Sequence, residues 1–307
     1  MNGEATPAVI GGTPVVIQSA ELSVTVLPAY GARVVSLFDR RNGREWMAQG
    51  GTTADVGETA GYGEAQAVGW DECFPTVSSW DARSTPWKRV LRDHGDLWGR
   101  PWTIDEQGPS HLATRFATAD YRFFRRLTLS GARLEVDYRV DNLGSEPLPA
   151  MWAWHALLAP RDGEPIDLPP MTGTNVTYVK ANGHVLPGGP QPWPIGAVVP
   201  FDLSQVQPIT SRFALKLHAL GLDGRRARLG SPEAGLDVAW EGVGHVGLWL
   251  AYGGWPTTSD IHQVAIEPTT SLADHLGQAV ANGTALEIPG GASHSWRLVL
   301  TLSLIHI

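Results

Sequence analysis

The chain has 307 residues, 43% of them hydrophobic and 18% charged, with a formal net charge of −8. This balance offers no basic surface for nucleic acid or an anionic membrane, and it suits a neutral partner better than a polyanion. No run reaches the roughly 18 apolar residues of a membrane span. Cys73 is the single cysteine, which excludes an intrachain disulfide and a multi-cysteine metal cluster.

The start, Met1 to Thr13, has no charged segment leading into an apolar one, so no secretory signal is read there and a cytoplasmic protein is expected. A small-molecule partner is expected, with a monomer or homodimer as the assembly. The 35 Gly and 23 Pro fit a chain with many turns. Thirteen Trp stand against seven Phe and six Tyr. Trp packs an apolar ring face against a sugar while its N–H takes a hydroxyl, so most are expected in the core and a few along a site.

Val15-Val16-Ile17 and Leu22 to Leu27 read as strands, the second alternating apolar and polar residues. Pro28-Ala29-Tyr30-Gly31 reads as a turn. Ala32 to Phe38 is the next strand, followed by an Asn42-Gly43 hairpin turn. Gly50 to Gly69 has weak patterning and reads as a long loop, of the kind that is often functional.

Gly69-Trp70-Asp71-Glu72-Cys73-Phe74-Pro75 puts two adjacent acids inside an aromatic segment. They read either as a solvent-facing corner or as acceptors for vicinal hydroxyls. Ser78 to Arg89 is a polar loop. Asp93-His94-Gly95-Asp96-Leu97-Trp98-Gly99-Arg100-Pro101-Trp102 has the composition of a binding loop.

Strands recur over Ala113–Ala119, Tyr121–Ser130 and Arg133–Asn142, a meander, and Pro149 to Leu158 is the strand that carries His155. Residues 159–210 read as long surface connections with short strands, including Pro187-Gly188-Gly189-Pro190. Strand pattern returns over Phe213–Leu220, Arg226–Leu229, Gly235–Glu241, His245–Ala251 and 259–267. Ser271 to Ala281 is the best helix candidate, and Ser293 to Leu302 closes the chain. So many strands with almost no helix predict a large antiparallel β-sandwich, one domain over residues 1–301. The last six residues, Leu302-Ser303-Leu304-Ile305-His306-Ile307, match what a common transposon-adapter sequence encodes, so His306 carries no functional weight.

Two stretches organise the chemistry. Val264-Ala265-Ile266 is a β-prone run that delivers Glu267 at a strand end, because Pro268 cannot donate to a ladder. Met151-Trp152-Ala153-Trp154-His155 does the same for an imidazole. A carboxylate and an imidazole facing one pocket take one proton while giving another. Taken singly, a solvated rim charge and a hydrogen-bonded core histidine are the blander readings.

These pieces, in this order, resemble the aldose 1-epimerase (galactose mutarotase) family. The matching segments are Gly31-Ala32-Arg33-Val34-Val35-Ser36-Leu37, Cys73-Phe74-Pro75, His94-Gly95 with Arg100 and Trp102, Trp154-His155, Ile266-Glu267-Pro268-Thr269-Thr270, and Pro289-Gly290-Gly291 before Trp296. The resemblance implies a supersandwich β fold and a cofactor-free, metal-free reaction on a sugar hemiacetal. It implies Glu267 as general base and His155, protonated, as general acid. It also implies His94 as a second histidine holding substrate, and it matches Arg100 to the arginine after the His-Gly pair in the hexose-6-phosphate mutarotase branch. Asp71 and Glu72 are read as further substrate-binding groups, and their charge argues against a phosphate-bearing substrate. Where galactose mutarotases proper carry an Asn-Arg pair and an Asn-x-x-His-Gly-Gly run, this chain has Gly69-Trp70-Asp71-Glu72 and Asp93-His94-Gly95-Asp96, so galactose is not implied. The implied activity is interconversion of the α and β anomers of a free sugar. The alternatives are a non-catalytic carbohydrate-binding protein of the same fold, or another sugar epimerase or lyase on this scaffold.

Overall fold

The computed structural model describes residues 12–50, 61–63, 67–181, 189–194, 202–256 and 260–303. Most of the Gly50–Gly69 loop, Pro187 and Gly188 of the Pro187-Gly188-Gly189-Pro190 turn, the start Met1 to Gly11, and His306 with its neighbours lie outside the described residues.

The first strands are β1 (Val15–Gln18), β2 (Leu22–Leu27), β3 (Arg33–Asp39), β4 (Arg44–Glu45), β5 (Trp70–Cys73), β6 (Trp80–Asp81) and β7 (Val90–Leu91). They are followed by β8 (Thr103–Gln107), β9 (His111–Ala117), β10 (Tyr121–Ser130), β11 (Arg133–Asn142), β12 (Leu148–Ala150), β13 (Ala153–Ala156), β14 (Ile166–Asp167) and β15 (Gly173–Ala181). Then come β16 (Phe213–Leu220), β17 (Arg226–Ser231), β18 (Ala234–Glu241), β19 (His245–Tyr252), β20 (His262–Thr269), the helix α1 (Leu276–Ala281), β21 (Leu286–Ile288) and β22 (Ser293–Leu302).

A ten-stranded sheet runs β1-β2-β3-β5-β13-β20-β19-β16-β15, with β4 beside β3. An eight-stranded sheet runs β14-β17-β18-β22-β11-β10-β9-β8. The fold is the large antiparallel β-sandwich expected from the strand pattern. Alternation builds it: Leu22, Val24 and Val26 of β2 are buried, as are Leu127 and Leu129 of β10 and Leu298 and Leu300 of β22. These residues join one core between the two sheets. No described helix is long and apolar enough to cross a membrane.

Three local expectations needed correction. The strand expected over Pro149–Leu158 is two strands in different sheets. It breaks at Met151 and Trp152, whose backbone N–H groups donate to Pro75 O at 2.9 Å and to Thr270 Oγ1 at 2.8 Å instead of a ladder. The helix is shorter than Ser271–Ala281: it begins after His275, whose Nδ1 accepts the Gln278 N–H at 3.1 Å. β15 is a nine-residue strand inside the region read as connections with only short strands. Its bulge between Val176 and Tyr178 interrupts the period-two pattern that would have shown it.

Candidate functional site

The site lies on the ten-stranded sheet, on the face turned away from the second sheet. Strand register lines up its residues. Asp71 of β5 pairs with His155 of β13. Glu267 of β20 pairs with Gly247 of β19, and Gly247 with His218 of β16. Between β13 and β20 the pairs Ala153–Thr269 and Leu158–Val264 bracket the register, which sets His155 opposite Glu267. One row across five strands therefore reads Asp71, His155, Glu267, Gly247, His218. Cys73 flanks it on one side, and Ala265, Trp249, Lys216 and Tyr178 form the next row on the other.

Glu267 is buried at 2% exposure. β20 continues one residue beyond Pro268, to Thr269, so the strand end expected at the proline is displaced slightly. Glu267 Oε2 accepts a hydrogen bond from Lys216 Nζ, while Oε1 has no hydrogen-bond partner among the described residues. Lys216 belongs to β16, two strands away, and reaches across β19 at Gly247. A Cβ on Gly247 would stand 3.1 Å from Glu267 Oε2 and 3.5 Å from Lys216 Nζ, so glycine there leaves room for the pair. Burial pushes the Glu267 carboxyl up, with Lys216 pulling it back. Burial opposes the charge of Lys216, but Glu267 and Asp274 more than restore it, and its pKa is raised.

His155 is buried at 8% exposure. Tyr62 OH lies 3.4 Å from His155 Nδ1 and donates to Asp71 Oδ2 at the same distance. The Tyr62 ring stacks on His94 at 3.9 Å between centroids, and His94 meets His155 edge-on at 4.8 Å. His94 is held by a special backbone: it takes φ 58°, and Gly95 after it takes φ 74°. Gly95 presses against Phe74, where a Cβ would fall 2.0 Å from the carbonyl oxygen, so only glycine fits. His94 Nδ1 is 3.2 Å from Asp93 Oδ2, at an angle that makes no hydrogen bond. Burial, with the charges of His94, Lys216 and Arg33 behind it, pushes His155 well below the ordinary imidazole value. Burial thus works against the proton that the expected acid role of His155 requires.

Of the residues singled out from the sequence, Glu267, His155, His94 and Asp71 come together. Asp71 is not a free carboxylate: Arg33 of β3 grips it through Nε at 3.0 Å and Nη2 at 2.5 Å, both groups fully buried. Glu72 is a correction. It follows Asp71 on a strand, so it points the other way, into the core between the sheets. There it accepts from Trp70 Nε1 at 2.8 Å, Trp152 Nε1 at 2.9 Å, Tyr138 OH at 2.9 Å and Arg125 Nη1 at 3.0 Å, with no exposed surface. It is a structural ion-pair centre and not a substrate contact. Each acid has its own arginine, so the expected repulsion of an anionic substrate has no basis in this arrangement.

Arg100 is less directly connected. Its backbone carbonyl accepts from Gly31 N at 2.6 Å, and its buried Nε has no hydrogen-bond partner. Its charge helps push the neighbouring Arg92, mostly by burial, down to about 10. Arg92 lies 4.2 Å over the Trp98 ring, and Trp98 meets Tyr62 edge-on at 5.1 Å. Among the described residues Arg100 makes no direct hydrogen bond or ion pair with Glu267, His155, His94 or Asp71.

Lys216, Gly247 and Tyr62 are site features that no sequence motif marked, and Arg33 lies in a matched segment but was not read as part of the site. A signal existed for Lys216. In Phe213-Ala214-Leu215-Lys216-Leu217-His218 the two polar residues alternate within an otherwise apolar strand, which marks one face as built for something other than packing. Cys73, His94 and His155 bring potential ligand atoms within 4.8 Å of one another, a set hidden from the sequence by its spacing. Lys216 and Arg33 act on the same space with positive charge, which opposes a dication there.

No protein-family profile matches the chain, and no curated protein does. Solved structures do. The Slr1438 protein of Synechocystis sp. PCC 6803 superposes with TM-score 0.70 at 16% identity, covering 99% of this chain and 100% of that one. A galactose mutarotase-like protein from Lactobacillus casei ATCC 334 gives TM-score 0.66 at 14% identity over 94% and 100%. Another, from Clostridium acetobutylicum, gives 0.64 at 14% over 95% of each chain. The chain has the fold of galactose mutarotase-like proteins along nearly its whole length.

Proposed function

We propose that this protein is an aldose 1-epimerase-like mutarotase, which interconverts the α and β anomers of a free sugar by acid–base ring opening. The observation that carries the reading is the shared row: Glu267, with Oε1 unpartnered, opposite His155. Ring opening needs a base at the anomeric hydroxyl and a donor at the ring oxygen, two atoms on the same carbon. Glu267 Oε1 takes the hydroxyl proton as the C1–ring-oxygen bond breaks and the aldehyde forms. His155 gives a proton to the departing ring oxygen. The C1–C2 bond rotates, and the reverse transfers close the ring from the other face. His94, stacked on Tyr62, and the Asp71–Arg33 pair line the His155 side. Trp249, half-buried beside Lys216, offers an apolar ring on the other side. Arg100 is kept as a substrate-binding residue.

One observation favours a second reading. Lys216 occupies one oxygen of Glu267, as suits a carbohydrate-binding protein that uses the pair only as a polar contact. Exchange spectroscopy on free aldoses separates the two. The mutarotase reading expects accelerated anomer exchange that Glu267→Gln abolishes, and the binding reading expects sugar-induced shifts with no exchange.

A further inference from the structure

We infer that Lys216 is a positioning residue for Glu267: it keeps the carboxylate ionised and turned so that Oε1 is the free acceptor. The inference rests on the mutarotase reading for its kinetic meaning, although the pair itself is independent of that reading.

The geometry carries it. A carboxylate at 2% exposure has lost most of its hydration, and an uncompensated buried charge reverts to its neutral form. A neutral carboxylic acid cannot take the anomeric proton. Among the described residues, the one hydrogen-bond donor on the Glu267 carboxylate is Lys216 Nζ, and it engages Oε2 alone. The sheet is arranged for this contact. Lys216 and Glu267 are separated by β19, and the strand between them carries glycine where a side chain would intrude on both groups.

Other charged groups face Glu267 less directly. His155 stands opposite on β13, with Cys73 and Asp71 beyond it on β5. Asp274, from the turn before α1, works against the carboxylate, and His94 works for it. His218 on β16 lies 3.6 Å from Asp274 and is held neutral by burial. Lys216 is therefore the main counter-charge. It also acts on His155, where it helps keep the imidazole neutral. Removing it moves both groups the same way, towards binding a proton.

The test is Lys216→Met, with Lys216→Gln carrying the same expectation if the apolar variant does not fold, and Lys216→Arg as the charge-preserving control. Two readouts are used. The carboxyl carbon of Glu267, assigned in ¹³C-glutamate-labelled protein by its loss in Glu267→Gln, reports ionisation directly. The pH profile of anomer exchange reports its consequence. The expected result is a Glu267 titration moved up by about one unit or more in the neutral variants, and a kcat/KM about tenfold lower on the acid side for each unit moved. Lys216→Arg is expected to restore both. A merely structural lysine would lower stability without moving either pKa. Glu267 titrating in the neutral variants as in the parent overturns the inference. If the parent exchanges no sugar while Glu267 titrates as expected, the mutarotase reading fails and the role of Lys216 stands.

Discussion

His155 and Glu267 stand opposite each other on adjacent antiparallel strands, and burial drives their proton affinities in opposite directions: the imidazole down, the carboxyl up. Burial thus works against the charged form of each, and on the carboxyl Lys216 works back towards the charged form. The form that reacts, with carboxylate and imidazolium together, is a minor one.

A pH optimum below neutrality follows. The imidazolium is lost as pH rises through the depressed value of His155, below its ordinary value of about 6.5, and the carboxylate is lost as pH falls through the raised value of Glu267. The kcat/KM profile is expected to be bell-shaped, with its maximum below about pH 6.5, its limbs belonging to the coupled pair. A profile still rising between about pH 7 and 9 contradicts this assignment.

Glu72 is expected to matter for folding and not for sugar. Its carboxylate anchors Arg125, two tryptophans and Tyr138 in the core. Glu72→Ala leaves the Arg125 charge buried and unpaired and should cost about 3–5 kcal/mol in urea unfolding. In whatever fraction stays folded, KM should match the parent. A normal stability with a raised KM would return Glu72 to the site.

Gly247→Ala probes the gap over β19. The added methyl carbon lies 3.1 Å from Glu267 Oε2, so the carboxylate or the lysine must shift. Misplacing a reacting group by a fraction of an ångström to an ångström costs roughly 10- to 100-fold in kcat. Unchanged kcat would show that the carboxylate position is not critical.

His218 gives the fold a sensitivity to acid. Burial first, then the charge of Lys216, pushes it down to about 4 against the opposing pull of Asp274, and His245 adds to the push. An unfolded chain binds the proton near pH 6.5, before the folded one does. Stability is therefore full above about pH 6.5 and declines as pH falls towards about 4, by about 3 kcal/mol on the order-of-magnitude scale of such shifts. His218→Asn should flatten this part of the stability profile, measured by denaturant unfolding at a series of pH values. An equally steep decline in the variant assigns the acid sensitivity elsewhere.

The sandwich was legible because its strands alternate: the spacing of Leu22, Val24 and Val26 by itself marks a buried face. Glu267, His155 and His94 were legible because each sits in a short distinctive segment. The faces were harder. Asp71 and Glu72 are adjacent in sequence and look like one acidic pair, yet a strand sends them to opposite sides, one to the site rim and one to the core. Lys216 and Arg33 acquire their roles from cross-strand register, across distances of 51 and 38 residues, which local pattern does not encode. Electrostatic state was least legible, because the lowered proton affinity of His155 reflects burial first and then groups drawn from separate parts of the chain, Lys216 and Arg33 among them.

The central claim is that Glu267 takes the anomeric proton of a free sugar. Two-dimensional exchange NMR on a panel of free aldoses, with the parent protein and Glu267→Gln at equal concentration, tests it most directly. The account predicts α–β cross-peaks for at least one sugar at a rate well above the buffer, and a loss of about 10²-fold or more on removing the basic carboxylate. Equal exchange by parent and variant, or exchange at the buffer rate by the parent across the whole panel, contradicts it.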